Sequence, residues 1–110
     1  MKSQSWTIEF FNKKVKDETL SLPLGIRTDF YDIMEGIRIF GPNLGPPWTK
    51  QLERGLFEIR AKGQEGIGRG IFCTLKGQRV IILHSLVKKS QKTPKRALDL
   101  ARKRKQEVES

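Results

Sequence analysis

A chain of 110 residues with a net charge of +10 has the size of one domain, 1–110, and can bury a core without disulfides or a structural metal. One cysteine and one histidine exclude a paired disulfide framework and the usual zinc site. The longest apolar run is Val-Ile-Ile-Leu at 80–83, far short of the ~20 residues of a membrane span, and the N-terminus lacks a signal-peptide core. A reducing, cytoplasmic setting without membrane contact is expected.

Residues 6–11, WTIEFF, have the β-branched and aromatic character of a short first strand. Asn12 then caps a helical stretch, KKVKDETL, that ends before Pro23. In the next segment Ile26, Phe30, Ile33, Met34, Ile37 and Phe40 recur at helical spacing and predict a longer amphipathic helix stopped by Gly41-Pro42. Residues 41–55 hold three of the five prolines and three glycines. They read as a loop over the sheet, anchored by Leu44, Trp48 and Leu52. Three strands follow, LFEIRA, GRGIFCTL and RVIILHSL, joined by short turns around Gly63-Gln64-Glu65-Gly66 and Lys76-Gly77-Gln78, so the meander is antiparallel. Thr93 is the expected N-cap, with Pro94 the first residue of a last helix running to about Val108. The order β-α-α-β-β-β-α predicts an α+β fold. Two N-terminal helices pack on a four-stranded, mainly antiparallel sheet, and the C-terminal helix lies at its edge.

The excess charge is local. Residues 76–110 carry 11 Lys/Arg against 3 Asp/Glu, whereas residues 1–75 carry 11 against 9. Such a footprint suits a polyanion, most simply RNA. Strand alternation puts Arg69, Ile71 and Cys73 on one face, and groups Ile82, His84 and Leu86 against Ile81, Leu83 and Ser85. Arg69 suits either a phosphate clamp on the uncovered face or a salt bridge to Glu58 or Glu65. His84, the one group that titrates near neutrality, suits proton transfer or a hydrogen bond inside the sheet. Cys73 reads as a core residue. Lys88, Lys89, Lys92, Lys95 and Arg96 cluster where the last strand leaves the sheet, placed to neutralise phosphates. Arg102, Lys103, Arg104 and Lys105 read as a general cationic face.

Three motifs carry a family likeness: L-x-x-G-L-F-E-I-R at 52–60, Gly-Ile-Gly-Arg at 66–69, and L-H-x-x-x-K-K-x-Q-K-T-P at 83–94. Over 22–104 the chain resembles the phage-derived, HigB-like branch of the RelE/ParE toxin superfamily. The resemblance implies a RelE-like fold and a ribosome-dependent messenger-RNA endonuclease, needing neither metal nor cofactor, that silences translation. The substrate 2′-hydroxyl would attack the adjacent phosphate. Implied partners are the ribosome, mRNA and a cognate helix-turn-helix, HigA-like antitoxin. By motif, Arg69 would stabilise the transition state, Lys89 would contact the scissile phosphate and His84 would transfer protons. Arg60, Lys62, Lys88, Lys92, Thr93, Lys95 and Arg96 would bind RNA.

Two departures stand out. Glu58 occupies a position where RelE itself has a lysine, though glutamate is usual in this branch, and Phe72 stands where tyrosine is common. Two other readings remain open: a ParE-like, non-nuclease inhibitor of DNA gyrase, and a non-toxic basic RNA-binding module.

Overall fold

The structure, a computed structural model, describes residues 5–88 and 92–110, with the backbone alone for Lys88. Its elements in chain order are β1 (Thr7–Phe10), α1 (Lys13–Leu20), α2 (Leu24–Phe40), β2 (Thr49–Glu53), β3 (Leu56–Gly63), β4 (Gly66–Leu75), β5 (Arg79–Lys88) and α3 (Lys95–Glu109). Asn12 caps α1 as expected, its side-chain oxygen accepting the Val15 N–H at 2.8 Å. α2 has no side-chain cap from its own N-cap residue, Pro23. The carboxylate of Glu65, at the β3–β4 turn, instead accepts the Gly25 N–H at 3.2 Å. Hydrogen bonds from its own N–H and those of Gly25 and Ile26 hold the Glu65 carboxyl below the usual carboxylate range.

The fold is α+β and RelE-like. The sheet order is β1-β5-β4-β3-β2. β1 runs parallel to β5, and every other pairing is antiparallel. The sheet therefore has five strands, not the expected four, because residues 49–53 of the supposed loop form β2. This strand lies at the sheet edge and is mostly exposed or half-buried. It takes its register from β3 rather than from apolar alternation of its own, so periodicity does not reveal it.

One face of the sheet carries α1 and α2. Val15, Ile26, Phe30, Ile33 and Ile37 pack there with Ile59, Ala61, Phe72, Val80 and Ile82. Phe40, expected on the buried stripe, is 79% exposed. α2 comes unusually close to β4. A Cβ on Gly68 would fall 2.3 Å from Ile26 Cγ2, and one on Gly70 would fall 2.4 Å from Phe30 Cζ.

On the second face Ala97 and Ala101 let α3 settle onto Leu56, Ile71, Cys73, Ile81 and Leu83. The helix thus covers half of that face instead of lying at the sheet edge. The cause is sequence that composition obscures: between charged residues, two alanines, Leu98 and Val108 make an apolar stripe. Arg104 fastens the helix by donating to the Leu83 carbonyl at 2.6 Å and lying over the Phe11 ring.

The face assignment of β5 needs a correction. Phe72 pairs with Ile82 and Ile71 with His84, so Leu83 is an extra residue in the ladder. Beyond this bulge the alternation resets. Ile82 and Ser85 serve the α1/α2 face, where Ser85 hydrogen-bonds Thr19 at 2.8 Å. Ile81, Leu83 and Leu86 serve the α3 face. No helix among the described residues is long and apolar enough to cross a membrane.

Candidate nucleic-acid interface

Toward the β3–β4 turn, beyond the apolar contacts of α3, the same sheet face carries charged side chains. Cross-strand register places Arg60 opposite Arg69 and Lys62 opposite Ile67 on β3 and β4, with Leu86 opposite Arg69 on β5. Partners share a face, so alternation delivers three cations, Arg69 of them buried, to this part of the face from two strands.

At its centre is Glu58, fully buried on β3. Its Oε1 lies 3.0 Å from Arg69 Nη1 and 3.3 Å from Arg60 Nε. Its Oε2 accepts the Thr93 hydroxyl at 2.5 Å. One carboxylate thus ties together two strand arginines and the segment that leads into α3. Thr93 therefore does not cap the helix. The N-cap is Pro94, without a side-chain bond, and the hydroxyl is spent on Glu58.

Of the residues singled out in the sequence, the structure brings Arg60, Arg69 and Thr93 together. Arg69 is wholly buried, so of its two readings the salt bridge to Glu58 is the one seen. Its charge is matched by the Glu58 carboxylate beside it. Arg60 is about one-fifth exposed. Lys62, Lys92, Lys95 and Arg96 are exposed, and Lys95 also pairs with Asp99 at 3.0 Å. Lys89 and the side chain of Lys88 lie outside the described residues.

His84 has different company. Its Nδ1 lies 3.8 Å from Glu18 Oε1 on α1, and both atoms are buried without a hydrogen-bond partner among the described residues. Burial lowers its pKa, Glu18 opposes this, and the positive charges of Arg104 and Lys14 add to the lowering. None of the Glu58 cluster is among the charges acting on it. Burial pushes the Cys73 thiol up to about 11, which suits a core residue and not a nucleophile.

The cations of α3 are also redistributed. Arg102 forks onto Glu53 and bonds Asp99, Arg104 holds Leu83 and Phe11, and Lys105 pairs with Glu109. These three secure the helix, in place of the general cationic face expected of them. In the sequence Glu58 reads only as an ion-pair candidate and a departure from pattern, and its role as the organising group is not visible there. Its one signal was the Glu-x-Arg spacing on β3, which puts both side chains on the face of Arg69.

A two-helix layer, a five-stranded sheet and a third helix on its second face define a RelE-like α+β protein. A model of the Phage derived protein Gp49-like (DUF891) family matches residues 17–106, and the chain belongs to that family. The family is one of toxin-like phage and toxin–antitoxin proteins in the RelE/HigB-like superfamily. No curated protein matches the chain.

Proposed function

We propose that the chain is the toxin of a type II toxin–antitoxin pair, a HigB-like endoribonuclease that cuts ribosome-bound message. The observation that carries this reading is the Glu58 cluster, which holds Arg60 and buried Arg69 under a rim of exposed lysines. Cleavage begins when the RNA 2′-hydroxyl attacks the neighbouring phosphorus. Its proton leaves to a base, and the five-coordinate phosphorane gains charge. The P–O5′ bond then breaks and the 5′-oxygen takes a proton, leaving a 2′,3′-cyclic phosphate and a 5′-hydroxyl. Fixed cations stabilise the phosphorane because they need no reorganisation as charge develops. Arg60 is the exposed member of the pair, and Arg69 supports it through Glu58. Lys89 is proposed at the scissile phosphate. His84, whose pKa burial lowers, is proposed for proton transfer.

The test is end-group analysis of message in a translation extract. The expected products carry 2′,3′-cyclic phosphate and 5′-hydroxyl ends, and single alanine changes at Arg60, His84 and Lys89 reduce their yield. Intact message beside gyrase-linked DNA breaks would sink the reading.

That second reading, a ParE-like inhibitor acting through protein contact, has one observation in its favour. An apolar hollow of about 370 Å³ lies on the far side of α2, lined by Asp29, Asp32, Ile33, Phe40, Leu44 and Trp48 among others. Phe40 and Trp48 are exposed there, as at a protein-docking surface. Under the nuclease reading the same hollow is available to the antitoxin.

A further inference from the structure

Two hollows flank Arg60. One, of about 210 Å³, is lined by Pro46, Pro47, Arg60, Lys62 and Ile67. The other, of about 290 Å³, shares Pro46, Pro47 and Arg60 and adds Thr49 and Lys50. Both fall below the ~300–1,000 Å³ of pockets for drug-sized ligands, and so suit one flat ring system each. Among the described residues no carboxylate lines either of them.

Their walls are stiff. Proline has almost no side-chain entropy to lose when a ligand settles on it. The loop that carries the two prolines is knitted at both ends. Gly45 accepts from the N–H groups of Trp48 and Thr49 at 3.0 Å each. Thr49 Oγ1 accepts the Gly45 N–H at 2.9 Å, and the Trp48 carbonyl accepts the Arg60 N–H at 2.9 Å. Arg60 itself is held at Nε by Glu58 and lines both hollows. Guanidinium planes and apolar rings are surfaces on which unpaired bases stack. Lys50 and Lys62, both exposed, stand on either side, one at each hollow, where a backbone phosphate would meet them.

We infer that the Pro46–Pro47 shelf and Arg60 form a nucleobase subsite, which receives an unstacked base of single-stranded RNA next to the charged part of the sheet face. The inference rests on the nuclease reading and deepens it by naming where an unpaired base is received. Lys50 and Lys62 hold the strand without regard to sequence, and the two hollows distinguish a base from a bare sugar-phosphate chain.

The test uses the full chain and a six-nucleotide single strand with 2′-O-methyl riboses, which cannot be cleaved by 2′-hydroxyl attack. Its affinity is compared by fluorescence anisotropy with that of the same strand built from abasic units. The base-bearing strand is expected to bind roughly 10-fold more tightly, the scale of one stacked base. Arg60→Lys keeps the charge beside Glu58 but removes the plane, and should bring the two affinities together. Lys50→Ala should weaken both strands alike and leave their ratio unchanged. Equal binding of the two strands by the unaltered chain, no binding of either, or a ratio that survives Arg60→Lys overturns the subsite. Message cleavage in a translation extract is read separately. Cleavage with base-blind binding removes the subsite and leaves the nuclease, and base-selective binding without cleavage does the reverse.

Discussion

At the scale of single residues, Glu58 has the largest consequences. It is buried, and two arginines and a threonine depend on it. Removing one partner of a buried ion pair leaves an uncompensated charge, at a cost of about 3–5 kcal/mol. Glu58→Ala should lower the unfolding free energy by that order in denaturant titration. Thr93→Ala, which deletes one hydrogen bond to a charged acceptor, should lower it by about 1.5–3 kcal/mol.

His84 sets a pH dependence of opposite sense to a salt-bridged histidine. Its folded pKa is depressed, chiefly by burial. Below its unfolded value of about 6.5 the unfolded chain binds the proton more readily than the folded one. Stability is therefore fully present above about pH 6.5 and falls as the pH drops from there toward the folded pKa. Because it is the one histidine in the chain, His84→Gln should flatten the thermal-midpoint profile between about pH 5.5 and 7.

At the scale of elements, two close approaches hold the layers together. α2 lies so near β4 that Gly70 has no room for a Cβ beside Phe30. Gly70→Ala should overpack the contact and cost about 1–3 kcal/mol by chemical denaturation. A neutral effect there would mean that α2 yields more readily than a packed core. On the other face α3 depends on Ala97, Ala101 and the Arg104 anchor. Arg104→Ala should speed amide exchange throughout α3 while leaving β4 protected, since helix ends open before the sheet does.

These elements also separate what periodicity reveals from what it hides. α2 and the three long strands are legible because each carries its own apolar repeat, and α1 because Asn12 and Pro23 mark its ends. β2 is not, because TKQLE is an edge strand whose hydrogen bonds come from β3. The bulge at Leu83 is also invisible, and it reverses the face assignment of every later residue on β5.

At the scale of the whole molecule, the charge of +10 is less available than its sum suggests. Arg69, Arg79, Arg102 and Lys105 are committed to carboxylates, which leaves the outward field to exposed cations such as Lys62 and Arg96. Each phosphate neutralised on a single strand contributes about −0.7 to the slope of log K against log salt. Replacing Lys62 and Lys92 together by alanine should therefore make the slope for single-stranded RNA shallower by about 1.4. An unchanged slope would remove these two lysines from the proposed RNA path.

The amino-acid sequence alone determined the α+β class, the helical hairpin, the antiparallel meander and the concentration of charge in the last third. These are properties of local periodicity and composition, which each segment states for itself. Only the tertiary structure decided that Glu58 gathers Arg60, Arg69 and Thr93, that α3 covers half a sheet face, and that His84 looks toward Glu18. Residues 58, 69 and 93 meet through strand register and chain return, and neither leaves a repeat in the sequence. A buried carboxylate chooses its partners by proximity in three dimensions.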